Sequence, residues 1–203
     1  MAEALMRQCI ADRNASASVS SAGLLEGGHP CPPEIVALMA SIGVDLTERQ
    51  SRQLTADLIE SADLVLTMER EHLREIAVMV ESAWQRTFTL KEIVRRGTDV
   101  GCRSGREPME SWIARVHTGR EPTELLGASS GDDVADPYGG TAEQYTATKL
   151  ELESLVAEVA DLIWPTEAAK LGVAGDTVAE VDAGATESER TGRRARFGLS
   201  RRR

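Results

Sequence analysis

Cysteine is rare in this chain, and its copies lack any ordered spacing. Cys9, Cys31 and Cys102 are odd in number and form neither a C-x-x-C pair nor a Cys/His ligand set. This pattern excludes a disulfide framework and a zinc site as organising features, and no metal or cofactor is expected. The simplest interpretation is that all three are reduced thiols.

Long apolar runs and clustered positive charge are also missing. No segment approaches the roughly 20 apolar residues that cross a bilayer, and the start lacks the basic and apolar parts of a signal peptide. The sequence therefore predicts a cytoplasmic protein without membrane insertion. The net charge is -10, with 23 basic against 33 acidic residues. Because nucleic-acid binding needs a clustered basic face, no nucleic-acid partner is expected.

Length and composition fit one domain with an appended segment. A chain of 203 residues with 41% hydrophobic content can bury a sizeable core, and we expect this domain over residues 1–165. In residues 166–203 the periodic apolar pattern disappears and the chain ends in arginine-rich runs, which predicts a disordered tail. The acidic remainder of the chain is expected to attract the basic end of this tail.

Apolar periodicity and breakers predict alternating strands and helices. The predicted helices are 1–12, 34–41 with Pro33 at its first position, a turn capped by Thr55, 69–80, 91–95 ending before Gly97, 109–117 and 141–164. The inner face of the last helix is predicted to consist of Leu150, Leu152, Leu155, Val156, Val159, Leu162 and Ile163. The predicted strands are 16–25, 63–68 and 85–90. Residues 97–133 are predicted to be an insertion on the surface. The alternation indicates an α/β fold, a three-layer α/β/α sandwich around a small parallel sheet.

Several collinear stretches resemble the low-molecular-weight protein tyrosine phosphatase family, especially its bacterial branch. They are M-A-E-A-L from Met1, S-S-A-G from Ser20, G-V-D-L and S-R-Q-L between residues 43 and 54, L-V-L-T-M from Leu64, and D-P-Y-G-G from Asp136. Together they cover most of residues 1–165, and D-P-Y-G-G is the most specific of them. The resemblance implies the family's phosphatase I-like fold.

The resemblance also implies a part that this sequence does not contain. In the family a first strand runs into a C-x5-R phosphate-binding loop, and the first helix follows directly. Met1 aligns with the start of that helix, so the strand and loop are expected upstream of Met1. As written, the chain is expected to be inactive, because the cysteine of that loop is the nucleophile.

None of the three cysteines is a substitute for that nucleophile. Cys9 lies within the first predicted helix with the wrong spacing to any arginine, and Cys31 lies between prolines that supply no amide donors to a phosphate. Cys102-Arg103-Ser104 looks like the end of a phosphate loop, yet Gly97 occupies the position that a C-x5-R pattern gives to cysteine. The residues before it also read as helix, where the loop would require a strand.

Three residues are candidates for a catalytic or binding role. Asp136 matches the family's general acid, although Asp-Pro is more often an ordinary turn. Tyr138 matches an aromatic wall of the substrate cleft. Ser21 resembles a serine that supports the phosphate loop by hydrogen bonding, while a turn serine is an equal alternative. Arg49 departs from the family, in which a histidine is common at this position.

Three functions are compatible with the sequence. The first is hydrolysis of phosphotyrosine through a phosphocysteine intermediate, with a phosphotyrosine-containing protein, such as a bacterial tyrosine kinase, as partner. The second is a non-catalytic binding or regulatory relative that retains the cleft. The third and weakest is an arsenate reductase, because no cysteine pair lies where that chemistry needs resolving thiols. The residues select neither a physiological substrate nor an oligomeric state.

Overall fold

A computed structural model describes residues 1–123 and 130–166. Its α-helices, in chain order, are α1 Ala2–Asp12, α2 Pro33–Ala40, α3 Ala56–Glu60, α4 Arg70–Met79, α5 Leu90–Val100, α6 Met109–His117 and α7 Ala142–Ile163. Short 3-10 helices occupy Glu81–Arg86 and Ser130–Asp132. Most predicted helices are confirmed within a residue or two, including Pro33 at the first position of α2 and Thr55 as the side-chain cap of α3.

Two short parallel strands form the described sheet. Strand β1, Val65–Thr67, pairs with β2, Thr87–Thr89, so that Leu66 lies opposite Phe88. The connection between them is α4 and the 3-10 helix, a crossover of the βαβ kind that parallel strands require. Phe88 is fully buried. The predicted α/β class and the parallel pairing of these two strands are confirmed.

The long helix α7 packs against α1 and α5 and completes the core. Its buried apolar side chains are Leu152, Val156, Val159, Ala160, Leu162 and Ile163. Leu150 was predicted to share this face, but 58% of it is exposed. The physical reason is the helical repeat: two residues correspond to about 200° of rotation, so Leu150 faces away from Leu152.

The predicted surface excursion over residues 97–133 is wrong for the part that the structure describes. Helix α5 continues through Gly97, and α6 buries Trp112, Ile113 and Val116 in the main core. The Trp112 indole donates a hydrogen bond of 3.0 Å to the Gly101 carbonyl. The segment is polar overall, yet three apolar side chains on one face of α6 are enough to dock it on the core. Its composition therefore did not predict its burial.

The predicted strand over residues 16–25 is also wrong. The segment is irregular, with one isolated parallel bridge between Gly23 and Gln53. Ser16, Ala17 and Ser18 are exposed, so the run has few apolar side chains with which to cover a sheet face. Backbone hydrogen bonds with residues 49–54 hold the following loop instead, among them Gly28 N–H to the Ser51 carbonyl at 2.8 Å.

A buried ion pair fixes the chain that leaves α6. The Arg120 guanidinium is fully buried and donates to both carboxylate oxygens of Glu92, at 2.8 and 3.1 Å. It also lies over the rings of Trp84 and Phe88, 3.8 and 4.2 Å from their centroids. This geometry matches the bidentate, aromatic-stacked arrangement that guanidinium favours. The pair therefore ties α5, β2 and the 3-10 helix together.

The described part of the chain contains no helix of the length and apolarity needed to cross a membrane. It also contains no group of three or more histidine, cysteine or acidic side chains able to hold a metal ion. The predicted tail, from residue 167 onward, lies outside the described residues. The domain limits of 1–165 and 166–203 remain a prediction.

Gly97 offers a test of the docking of α7 on α5. A Cβ atom at this position would lie 2.7 Å from Leu162 Cδ1 and 3.3 Å from Trp112 Cζ2. Alanine improves helix propensity by about 1 kcal/mol, whereas overpacking a core costs about 1–3 kcal/mol. We expect Gly97→Ala to lower the free energy of unfolding, measured by urea denaturation.

Gly105→Ala is the matched control, because no atom lies within 4 Å of its added Cβ. We expect this variant to unfold at the wild-type urea concentration or slightly above it. A Gly97→Ala protein more stable than wild type would show that α7 packs less closely on α5 than the structure indicates.

Candidate active site

Residues 133–135 are fixed at the carboxyl end of β1 by four hydrogen bonds. The Val134 N–H donates to the Met68 carbonyl at 2.8 Å, and the Arg70 N–H donates to Asp133 Oδ1 at 2.9 Å. Lys91 Nζ donates to the Asp133 carbonyl at 2.6 Å. The Thr148 hydroxyl donates to the Ala135 carbonyl at 3.2 Å. The segment is therefore held by β1, α4, α5 and α7 at once.

Asp136 follows this anchored segment and is exposed to solvent. Its Oδ1 accepts the Tyr138 N–H at 3.0 Å, and the Gly140 N–H closes the turn onto the Pro137 carbonyl at 2.8 Å. Gly139 has a φ of +72°, a conformation that glycine adopts without strain. No cation within the described ranges pairs with Asp136, so its other oxygen is available to a ligand.

A capping box connects this turn rigidly to α7. The Thr141 hydroxyl accepts the Gln144 N–H at 3.4 Å, while Gln144 Oε1 accepts the Thr141 N–H at 2.7 Å. This reciprocal arrangement satisfies two backbone donors at the start of a helix. Tyr138 therefore projects from a short, fixed turn, and 79% of its surface is exposed. A carboxylate and an aromatic ring are presented together at the carboxyl edge of the sheet, where α/β proteins bind ligands.

A second polar cluster surrounds Glu3 at the start of α1. The Glu3 side chain is 7% exposed and forms ion pairs with Arg7, at 2.5 Å, and with Arg49. The Ser21 hydroxyl donates to Glu3 Oε2 at 2.5 Å. A buried carboxylate thus accepts three donors, which is how a buried charge becomes tolerable.

These donors determine the protonation of Glu3. Burial acts to raise the pKa of its carboxyl, but the hydrogen bonds from Ser21, Arg49 and Arg7 together outweigh burial and leave the pKa below the ordinary value. Glu3 is therefore ionised at neutral pH. Because guanidinium does not titrate in proteins, the pairing with Arg49 is permanent, whereas a histidine at that position would change charge near pH 6.5.

The structure gives Ser21 a side-chain partner other than the acid turn. Ser21 hydrogen-bonds Glu3, which sequence reasoning did not single out. No hydrogen bond or ion pair between described residues connects Ser21 with Asp136 or Tyr138. The signal that could have found Glu3 was its apolar helical face: Glu3 precedes the buried Met6 and Ile10 at spacings of three and seven residues, so it had to be buried with them.

The cysteines have surroundings that do not suit a nucleophile. Burial raises the pKa of the Cys31 thiol, with the nearby positive Met1 amino group opposing it, whereas a nucleophilic cysteine needs a lowered pKa. Cys102 is followed by Arg103, whose guanidinium donates to the carbonyls of Ile163 and Glu107 at 3.0 and 2.6 Å. That arginine is committed to backbone groups, so the Cys102 segment is no phosphate loop.

The sequence of this chain is similar to those of known protein phosphatases. Residues 1–103 match the sequence profile described as low molecular weight phosphotyrosine protein phosphatase. The probable low molecular weight protein-tyrosine-phosphatase EpsP of Ralstonia solanacearum is 34% identical over 120 residues, which span 59% of this chain and 80% of that protein. The protein-arginine-phosphatase of Bacillus subtilis is 31% identical over 163 residues, which span 79% and 85%.

Solved structures agree with the sequence matches. The crystal structure of a YwlE mutant from Bacillus subtilis superposes with a TM-score of 0.57 at 28% identity, covering 79% of this chain and 86% of that chain. The fold and the profile together define a member of an α/β family of phosphatases. The chain belongs to the low molecular weight phosphotyrosine protein phosphatase family, as its sequence motifs predicted.

Replacing Glu3 tests the second cluster. We expect Glu3→Gln to lower the free energy of unfolding by about 1–3 kcal/mol at pH 7, because buried donors lose a charged acceptor. Since the folded pKa of Glu3 is depressed, its contribution is complete above the unfolded value of about 4.3 and is lost as the pH falls through the folded value. The difference between variant and wild type should therefore shrink below about pH 4.

Asp12→Asn, an exposed change in the same helix, is the control and should leave stability nearly unchanged. Urea denaturation at pH 7 and at pH 3 measures both variants. A difference between Glu3→Gln and wild type that stays constant over this range would contradict an ionised Glu3 in the folded state.

Proposed function

We propose that this protein is a phosphatase of phosphorylated protein side chains in which Asp136 is the general acid. The observation that carries the proposal is the position of Asp136, an exposed carboxylate with no cationic partner among the described residues. It lies on a turn whose preceding residues are anchored to β1, α4, α5 and α7. A proton donor must be held within hydrogen-bond reach of its target. The anchored segment supplies that fixed placement.

The proposed reaction has two steps, and Asp136 donates a proton in the first and accepts one in the second. A cysteine thiolate attacks phosphorus, the S–P bond forms as the P–O bond to the aryl group breaks, and protonated Asp136 gives its proton to the leaving oxygen. In the second step the Asp136 carboxylate takes a proton from water while the water oxygen attacks phosphorus. The S–P bond then breaks, releasing phosphate and restoring the thiolate and the protonated acid.

We further propose that the thiolate comes from a C-x5-R loop of the kind the family uses, which the printed sequence does not contain. Two observations support this: the raised pKa of Cys31 and the commitment of Arg103, beside Cys102, to backbone carbonyls. On this proposal the sequence as printed is inactive without that loop. A binding or regulatory relative that keeps the cleft is the alternative that the activity test must exclude.

Phosphotyrosine is the substrate that the turn favours. Tyr138 exposes its ring two residues from the acid, where it can pack against the aryl group of a phosphotyrosine. Phosphoarginine is the second candidate, because the Bacillus subtilis relative that matches most of this chain is a protein-arginine-phosphatase. Phosphotyrosine-containing proteins, a bacterial tyrosine kinase among them, are the proposed partners. We also propose a cytoplasmic location.

The first activity test compares the printed chain with an extended form, in which a family strand and C-x5-R loop are joined ahead of Met1, using p-nitrophenyl phosphate. We expect hydrolysis by the extended form alone. In that form Asp136→Asn should lower kcat by about 10²–10⁴, because acid catalysis is lost. Glu110→Gln, an exposed change on α6, is the control and should keep wild-type turnover.

The same assay includes outcomes that refute the proposal. Inactivity of both forms would favour the non-catalytic relative. Wild-type turnover in Asp136→Asn would remove Asp136 from the mechanism, even if the extended form proved to be an active phosphatase.

Tyr138 tests the substrate class. In the extended form we expect Tyr138→Ala to raise KM for a phosphotyrosine peptide by roughly fivefold, as loss of an aromatic contact of about 1 kcal/mol implies, with a smaller effect on a phosphoarginine peptide. Tyr138→Phe keeps the ring and should retain the wild-type KM. Equal losses on both peptides, measured by phosphate release, would show that Tyr138 does not recognise the aryl group.

A further inference from the structure

Helix α7 exposes a narrow apolar strip directly after the turn that carries Asp136. Ala142, Thr146, Ala147 and Leu150 line a shallow groove there, with Glu143 at its rim. These residues, called here the α7 strip, recur at helical spacings of three to five and so share one face. Leu150 is the largest of them and is 58% exposed. Leu150 is the one residue of this strip that the apolar pattern of the sequence had placed in the core.

The rim of the α7 strip is acidic. Glu143 lies on it, and Glu158 continues the same face two turns further. Hydrogen bonding by the Thr141 hydroxyl lowers the pKa of Glu143. Within residues 1–123 and 130–166, no arginine or lysine pairs with either of these carboxylates. The surface therefore combines an apolar centre with uncompensated negative charge.

One segment of this same chain has the complementary pattern. Residues 190–203 contain seven arginines and no acidic residue, although acidic residues outnumber basic ones by 33 to 23 in the whole chain. Phe197 and Leu199 lie among these arginines and are separated by one glycine. The apolar pair Phe197 and Leu199 is complementary to the apolar α7 strip, and the flanking arginines are complementary to the flanking carboxylates. Apolar burial and charge attraction would therefore favour the same contact.

The length of the chain allows this segment to reach the strip. The strip lies near the start of α7, whose 22 residues span about 33 Å. An extended chain covers about 3.3–3.6 Å per residue, so the residues between Thr166 and Phe197 can bridge roughly 100 Å. The connection from the end of α7 back to its beginning is therefore well within reach.

A second groove is a weaker match for the same segment. It runs along α1 and is lined by Arg7, Ile10, Ala11 and residues 17–19. Arg7 lies in its wall and repels an arginine-rich partner. The exposed Val78 and Met79 at the end of α4 form another apolar patch.

We propose that the carboxyl-terminal segment, residues 190–203, docks on the α7 strip of its own chain, with Phe197 and Leu199 against Leu150 and the arginines against the surrounding carboxylates. The docked segment lies beside the turn that carries Asp136. It therefore competes with a protein substrate, a consequence that rests on the proposed function. The docking itself does not depend on that function.

Photo-cross-linking in the full chain tests the docking without an activity measurement. Phe197 is replaced by p-benzoylphenylalanine, the protein is irradiated, and cross-linked peptides are identified by mass spectrometry. We expect intramolecular cross-links to the stretch 142–154. Leu150→Arg should lower their yield at least about fivefold, because the apolar contact of the docked segment is replaced by a repelling cation, and 0.5 M salt should lower it through screening.

Val78→Arg is the matched control, since it places the same cation on another exposed apolar position and should leave the yield unchanged. Circular dichroism checks that both variants are folded. Cross-links spread over the surface, cross-links to the end of α4, or cross-links that join two copies of the chain would each overturn the proposal. An unchanged yield in Leu150→Arg would overturn it as well.

Discussion

The hydrogen bond from the Val134 N–H to the Met68 carbonyl is the contact on which the acid turn depends. This hydrogen bond holds residue 134 beside the end of β1, and the Val134 side chain is buried in the main core. Asp133 and Ala135 are bound on either side by α4, α5 and α7. Because backbone and core hold the three residues before it, Asp136 can be exposed and still have a defined position. A catalytic acid needs this combination of access and fixed geometry.

The Glu3 cluster supports the start of α1 in a related way. A carboxylate buried to this extent is costly unless it is paired and hydrogen-bonded, and Arg7, Arg49 and Ser21 provide those partners. The choice of arginine at position 49 has a physical consequence. The cluster keeps one charge state across the physiological pH range, where a histidine would titrate.

The elements that the sequence predicted best are those with a strong local signal. Pro33 and Thr55 mark helix starts by their own chemistry, and the apolar runs around Leu66 and Phe88 indicated the two buried strands. Trp112 was missed because its burial depends on α5 and α7, which are distant in sequence. Leu150 was misplaced because its hydrophobicity suggested burial, whereas its angular position on α7 turns it toward solvent. The run of residues 16–25 has strand-like residues but too few apolar side chains to bury.

The same distinction between local signals and contacts from distant parts of the chain applies to the candidate site. Asp136 and Tyr138 were found because a short motif carries both, and their turn is a local structure. The partners of Ser21 could not be found in this way, because Glu3 and Arg49 approach it from separate parts of the chain. The anchoring of residues 133–135 is equally non-local, since each of its four bonds comes from a different element. Motifs identified the chemical groups, and tertiary packing determined what holds them.

The dependence of kcat/KM on the leaving group tests the role of Asp136 most directly. A general acid matters more as the departing phenolate becomes more basic, so removing the acid should penalise poor leaving groups most. With the extended, active form, the ratio of kcat/KM between wild type and Asp136→Asn should rise steadily across aryl phosphates of increasing leaving-group pKa. A ratio that is the same for every leaving group would contradict proton donation by Asp136.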